Sequence, residues 1–219
     1  MPRELLDQEL HTLLENLLAM GALADKAIDK ASQALESQDK WLANEVVEGD
    51  SAINEARWGL ENECYRLLAT QQPMATDLRT VGAVLAIVSD LERIADHAKG
   101  TARIVLRMTD EPLREPADVI QQMFKICRKD LQLVLQAFVN RDEQLALFVR
   151  AADDQIDSLY RQAFNELLAV MMRDPRTVNE GTYLIWTAHK LERIHDRINN
   201  IARRTIFMVT GRMEEVEVR

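Results

Sequence analysis

The chain is poor in the residues that interrupt helices and in those that form disulfide frameworks. Its 219 residues include only 7 glycines, 5 prolines and 2 cysteines, and aromatic residues make up 5%. So few glycines and prolines favour long, uninterrupted helices. Cys64 and Cys127 form no CxxC motif, so the interpretation is two buried core residues rather than a redox pair. No run of roughly 18 or more apolar residues occurs, which argues against a membrane span.

The charge balance and the missing motifs narrow the range of functions. The net charge is −9, whereas nucleic-acid-binding proteins usually present a basic face, so no nucleic-acid partner is predicted. The chain has no glycine-rich phosphate loop and no GxGxxG motif, and no nucleophile constellation can be proposed from residue spacing. Polar residues follow the first methionine where a signal peptide would have an apolar core. These features predict a cytoplasmic protein that is not an enzyme.

What the chain has in abundance is apolar residues at helical spacing, which predicts an all-α fold. Six long helices are expected, over residues 5–37, 40–69, 76–108, 117–139, 142–173 and 179–210. Helices of about 30 residues are roughly 45 Å long, and those joined by short turns pack as antiparallel neighbours. We therefore predict two tandem, pseudo-symmetric three-helix bundles, 1–110 and 117–211, separated by the double-proline segment 109–116 and followed by an acidic tail, 212–219.

Two stretches of the chain repeat each other. Leu91-Glu-Arg-Ile-Ala-Asp96 returns as Leu191-Glu-Arg-Ile-His-Asp196. Each places a glutamate and an aspartate four residues apart, so both carboxylates lie on one helix face, about 5–6 Å from each other. Both pairs border an apolar stripe, where an uncompensated charge is costly. The repeat indicates a duplicated unit whose third helices carry these acids.

A second repeat extends the duplication to the second helix of each bundle. The stretch that begins at Asp39 aligns with the one at Asp142, and this register places Asp50 on Asp153 and Asn54 on Asp157. If the second and third helices are neighbours, each bundle gathers an all-oxygen cluster of the kind that hard cations such as Mg²⁺, Ca²⁺, Mn²⁺ or iron prefer. The candidate metal ligands are Asp50, Asn54, Glu92 and Asp96 in the first bundle and Asp153, Asp157, Glu192 and Asp196 in the second.

Two alternatives to a regulatory metal site stay open. In the first, the protein is a metal-free helical adaptor whose acids form surface ion pairs with Arg93, Lys99, Arg193 and Arg197. In the second, it is a di-metal carboxylate enzyme, because Glu192-x-x-His195 has the spacing found in di-iron bundles. The first bundle has Ala95 where the second has His195, so the di-iron ligand set is incomplete. Whether His97 or His195 ligates a metal is left open.

Five motifs occur in a characteristic order and spacing, namely Val47-Glu-Gly-Asp50, Gln72-Pro-Met-Ala-Thr-Asp-Leu-Arg79, Asp90-Leu-Glu-Arg-Ile-Ala-Asp-His97, Leu191-Glu-Arg-Ile-His-Asp-Arg197 and Asn200-Ile-Ala202. Together they resemble the signature of the PhoU family. The resemblance covers nearly the whole chain, from about residue 5 to residue 211. It implies a negative regulator of the phosphate-starvation response that acts between a phosphate ABC transporter, through its ATPase subunit, and a sensor histidine kinase. It also implies a homodimer with one metal cluster in each bundle.

The resemblance assigns cluster ligands and also exposes departures from the family pattern. It implies one cluster held by Asp50, Glu92 and Asp96, and a second held by Asp153, Asp157, Glu192 and Asp196. Asn54 stands where the full motif has aspartate, Ala95 and His195 stand where the family usually has glycine, and Gly100-Thr101 replaces the Asn-Ile pair at 200–201. Because an amide oxygen carries no charge, we expect the second cluster to hold metal more firmly.

Overall fold

The computed structural model describes residues 2–108 and 117–212, and no β-strand occurs in those ranges. Their helices are α1 (Pro2–Ser37), α2 (Lys40–Gln71), α3 (Thr76–Val105), α4 (Ala117–Asn140), α5 (Glu143–Arg150), α6 (Asp153–Arg173) and α7 (Val178–Thr210). A 3-10 turn at Pro175–Thr177 precedes α7. The predicted all-α fold is confirmed. The proposed boundary segment 109–116, and all of the predicted tail except Arg212, lie outside the described residues.

The helices form two groups that lie side by side. Helices α1, α2 and α3 all pack against one another and make up the first bundle, and α4 packs with α5, α6 and α7 to make up the second bundle. The bundles meet along α3 and α7 and, at a second contact, along α1 and α4. This places the third helix of each bundle, which carries the repeated motif, at the interface between bundles.

The predicted helix over 142–173 is wrong in one respect, because the structure divides it into two helices. The chain leaves the α-helix at Ala151 and Ala152, where the Ala152 N–H donates to the Val149 carbonyl three residues back, at 3.1 Å. Helix α6 then begins with Asp153 and Asp154, whose charges are favourable at a helix N-terminus. Alanine is a strong helix former, so the sequence offers no breaker at this position.

The first two helices of each bundle are joined by the same turn. Gln38 and Arg141 both adopt the left-handed conformation, with φ of 56° and 55°. The N–H groups of the following residues, Asp39 and Asp142, donate to carbonyls five residues earlier, at 3.1 and 2.8 Å. Both aspartate side chains then cap the next helix by accepting backbone N–H groups. Matching turns at matching positions support the duplication.

Close packing and ion pairs join α1 to α4. A Cβ atom on Gly21 would overlap the side chain of Leu135, so the absence of a side chain at Gly21 lets the two helices approach closely. Nearby, Arg128 on α4 donates to Asp25 at 2.9 Å and also to Asp29, both on α1. The two bundles are therefore held together by polar bridges as well as by apolar burial.

Across residues 2–108 and 117–212, no helix combines the length and the apolar character needed to cross a lipid bilayer.

Candidate functional site

The first carboxylate cluster lies where α2 and α3 run side by side. Lys99 Nζ on α3 donates to Asp50 Oδ2 on α2 at 2.5 Å, and Asn54 Nδ2 donates to the same oxygen at 3.1 Å. Glu92 Oε2 lies 3.3 Å from Arg57 Nη1, while Asp96 is exposed. The structure thus brings Asp50 and Asn54 together, as predicted, and supplies basic partners to Asp50 and Glu92.

The second cluster is organised around a buried histidine. His195 is fully buried, with its Nε2 3.1 Å from Asp130 Oδ2 and its Nδ1 3.4 Å from Asp153 Oδ1. Burial alone would lower the pKa of His195, but the hydrogen bonds to the two aspartates outweigh burial and raise that pKa to about 9. Asn199 donates a further hydrogen bond to Asp153 at 2.5 Å. The imidazole is therefore charged at neutral pH and serves as the counter-ion of both aspartates.

The other acids of the second cluster carry negative charge that is only partly compensated. Burial and the charge of Asp153 raise the pKa of Asp157, and burial and the charge of Asp196 raise the pKa of Glu192. Arg193 lies beside two of these acids, with Nη1 3.0 Å from Asp196 Oδ2 and Nε 3.6 Å from Glu192 Oε2, and the charge of Arg161 partly offsets the raised pKa of Asp157. All four predicted ligands of this bundle therefore lie close enough to influence one another electrostatically.

Two buried oxygens provide a test of whether a metal fits. Glu92 Oε2 and Glu192 Oε2, at equivalent positions of the repeat, are buried and accept no hydrogen bond from the described residues. The nearest basic groups are Arg57, 3.3 Å from Glu92 Oε2, and His189, 3.3 Å from Glu192 Oε2, and neither has hydrogen-bond geometry. An unsatisfied buried oxygen costs about 1–3 kcal/mol, and a hard cation would satisfy it. The donor atoms are all oxygen, so the residues fit a hard cation rather than a zinc–thiolate site.

The side chains are nevertheless not gathered into a complete ligand set. Within the two described ranges, no three His, Cys, Asp or Glu side chains stand close enough together to hold one ion. Lys99 on Asp50 and Arg57 on Glu92 occupy the space between α2 and α3, so these two side chains would have to move to admit a cation. The eight-residue ligand set stays a prediction.

The pairing of His195 with Asp130 is a feature of the second cluster that residue spacing did not reveal. Asp130 lies in α4, far from either repeated motif, and its side chain is only 4% exposed. The available signal was a carboxylate flanked by apolar Cys127, Leu131 and Val134 on the buried face of that helix. His97, by contrast, is partly buried, and burial together with the charge of Lys190 lowers the pKa of His97 to about 4, so this histidine is neutral.

Comparisons with a family model and with curated proteins point to the same family. A family model described as the PhoU domain matches residues 17–105 and 120–205. A Clostridium acetobutylicum protein named as a phosphate-specific transport system accessory protein PhoU homolog is 36% identical over 220 residues, covering 99% of each chain. A protein of the same name from Pseudomonas aeruginosa is 38% identical over 204 residues, covering 93% of this chain and 84% of its own length.

Two solved structures share the fold. The crystal structure of PhoU from Pseudomonas aeruginosa superposes with a TM-score of 0.90 at 36% identity, covering 94% of this chain and 99% of that one. The phosphate transport system regulatory protein PhoU from Streptococcus pneumoniae superposes with a TM-score of 0.90 at 34% identity, covering 96% and 100%. The similarity therefore extends through both bundles and the interface between them.

Proposed function

Because the chain belongs to the PhoU family, we propose that it is an accessory protein of a phosphate-specific transport system and regulates phosphate uptake. The observation that carries this proposal is near-complete coverage at 36% identity with a relative of that name. In its finer form, the proposal is that the protein restrains the phosphate-starvation response as a link between the transporter ATPase and a sensor histidine kinase. Homodimer formation is part of the same expectation.

The proposed role is non-enzymatic, and the geometry of His195 supports this. Both ring nitrogens of His195 face carboxylates, Asp130 on one side and Asp153 on the other. A histidine held in this way has no free nitrogen to offer as the histidine ligand of a di-iron site. The di-metal enzyme alternative therefore loses the residue on which its spacing argument depended.

We further propose that each bundle binds a hard cation through its carboxylate cluster. The proposed ligands are Asp50, Glu92 and Asp96 in the first bundle, with Asn54 as a neutral donor, and Asp153, Asp157, Glu192 and Asp196 in the second. Such an ion would cross-link the second and third helices of its bundle by neutralising acids on both. The second cluster offers four carboxylates and the first only three, and we expect the second cluster to bind more tightly for this reason. A cation already pairs with one acid in each cluster and would have to be displaced, namely Lys99 at Asp50 and His195 at Asp153.

The position of the clusters suggests how metal occupancy and regulation are linked. Glu92 and Glu192 lie on α3 and α7, the two helices that pack along each other between the bundles. A change in charge at either cluster therefore acts on a helix that contacts both bundles. The proposal is that partner proteins respond to the relative placement of the bundles that these two helices fix.

Deletion of the gene in its host tests the regulatory proposal. In high-phosphate medium, the deletion strain should express a phosphate-starvation reporter that the parent strain represses, and the wild-type gene should restore repression. Unchanged repression in the deletion strain would contradict the proposal. The restored strain sets the fully repressed level, and reporter expression in the deletion strain above that level supports the proposal.

Elemental analysis of the purified protein tests the metal clusters separately. After equilibration with Mn²⁺ or Fe²⁺ and removal of free ion, the wild-type protein should retain metal. A Glu192→Gln/Asp196→Asn variant should retain less. The control is Glu36→Gln/Asp118→Asn, which removes the same charge from exposed positions on α1 and α4. Equal metal content in all three proteins would rule out the second cluster as a metal site without affecting the deletion experiment.

A further inference from the structure

The duplication gives the interface between α3 and α7 two equivalent positions, which we call its two ends, and one of them is closed by polar contacts. Asp90 on α3 lies 3.6 Å from Arg197 Nη1, and Asn200 Nδ2 donates to Asp90 at 3.5 Å. The side chain of Asp90 is only 13% exposed. An acid from one bundle is thus enclosed by a cation and an amide from the other, and these contacts help to hold the two helices together.

The equivalent end is open and positively charged. The repeat aligns Leu91 with Leu191, so Lys190 stands in the place of Asp90, and Gly100 in the place of Asn200. A Cβ atom on Gly100 would lie 2.5 Å from Lys190 Nζ and 2.8 Å from its Cε, so the lysine occupies the space that the missing side chain leaves. The acid and the amide that close the first end therefore have no equivalents at the second end.

The result is a cavity of about 360 Å³ between the bundles, which we call the interbundle pocket. It is lined by Gly100, Arg103, Ile104, Arg107, Trp186, His189 and Lys190. None of its three cations, Arg103, Arg107 and Lys190, has a carboxylate partner within residues 2–108 and 117–212. In a chain of net charge −9, a concave site whose three cations have no carboxylate partner in the described part of the chain is an exception. Such a site concentrates anions.

The pocket also has an aromatic wall, because Trp186, which is 49% exposed, lies beside the cations. A flat aromatic face beside a group of cations suits a ligand that has both an aromatic ring and an anionic part.

We propose that the interbundle pocket binds a nucleoside diphosphate or triphosphate. Arg103 and Arg107 would contact the phosphate groups with their forked guanidiniums, with Lys190 as a third charge, while the base stacks on Trp186. The volume of the pocket lies within the usual range for small-molecule sites and exceeds what a single phosphate group needs. This binding does not depend on the regulatory role proposed above.

Titration calorimetry with ADP in a chelator-containing buffer tests the proposal on the full chain. We expect one saturable site per chain, with inorganic phosphate and adenosine each weaker than ADP by about tenfold or more. Arg103→Ala/Arg107→Ala should weaken ADP binding by about a hundredfold. Trp186→Leu should weaken it by about tenfold. Both arginines and the tryptophan are exposed, so these variants should fold.

Two further variants test separately whether binding depends on the cations of the pocket and on its empty volume. Lys26→Ala/Lys125→Ala removes two exposed cations from α1 and α4, outside the pocket, and should bind ADP as the wild type does. Gly100→Leu keeps every charge but fills the pocket and should abolish binding. The proposal fails if ADP shows no saturable binding, if inorganic phosphate binds as tightly as ADP, or if the pocket variants and the control retain equal affinity.

Discussion

Replacing His195 with alanine should destabilise the protein by about 3–5 kcal/mol. The reason is the environment of its partner. His195 is 0% exposed and the Asp130 side chain is 4% exposed, and the described residues give Asp130 no other hydrogen-bond partner. Removing the imidazole therefore leaves a buried carboxylate without a counter-ion, which costs more than the loss of packing alone. At this chain length, the melting temperature should fall by roughly 10 °C.

The first bundle indicates how the loss can be repaired. The alignment of Gln38 with Arg141 places Ala27 opposite Asp130, and Ala95 is the counterpart of His195, so the first bundle has two alanines where the second has the ion pair. The double variant His195→Ala/Asp130→Ala leaves a cavity but no buried charge. It should be more stable than His195→Ala alone by about 1–3 kcal/mol.

Urea denaturation followed by circular dichroism measures both quantities. Additive costs, with the double variant losing the sum of the two single losses, would refute the buried-pair reasoning. A loss below about 1 kcal/mol for His195→Ala would do the same.

As a second check, the dependence of stability on pH has a definite sign, because folding raises the pKa of His195 from 6.5 to about 9. The stabilisation is complete below pH 6.5 and declines as the pH rises through 9, by up to about 3 kcal/mol, so the gap between wild type and His195→Ala should narrow at alkaline pH.

Two further substitutions test local features of the fold. Arg141→Gly should stabilise the protein by about 0.5–1 kcal/mol in urea denaturation, because Arg141 has a left-handed φ of 55° that glycine adopts without strain, whereas Arg161→Gly in the middle of α6 should cost about 1 kcal/mol. Destabilisation by Arg141→Gly would contradict this account of the turn. Arg128→Ala should cost about 1–2 kcal/mol because it removes a bridge from α4 to two aspartates of α1, while its exposed neighbour Lys129→Ala should be close to neutral. Equal effects of the two substitutions would show that the bridge contributes nothing.

The fold was predictable because its signals are local. Long apolar periods without glycine or proline predict helices directly. The predicted starts of the second helix of each bundle lie within one residue of Asp39 and Asp142, which the structure shows to be the N-caps of α2 and α5. The interruption at Ala151 and Ala152 was not predictable, since two strong helix formers carry no sign of a break. At the start of α6, directly after the interruption, Asp153 reaches His195 and Asn199, a tertiary contact that no local pattern encodes.

The site was predictable only in part, because counter-ions are chosen by packing and not by spacing. The repeated motif identified Glu92 and Glu192 as equivalent, and both have a buried, unsatisfied oxygen. Asp130, however, is 65 residues from His195, and only folding brings the two together. The interbundle pocket likewise combines residues from two bundles. No local pattern joins them, although the change from Asp90 to Lys190 is visible in the aligned repeat.

The unequal ends of the α3–α7 interface show a division of labour within a single chain. A duplicated protein starts with two copies of each contact between its halves. Because the ion pair between Asp90 and Arg197 helps to hold the bundles together at one end, the other end does not need a matching ion pair. Residues that make no ion pair across the interface, such as Lys190 and Gly100, can then stand there at little cost to folding. Duplication within one chain thus leaves one of two equivalent surfaces available for ligand binding while the other holds the bundles together.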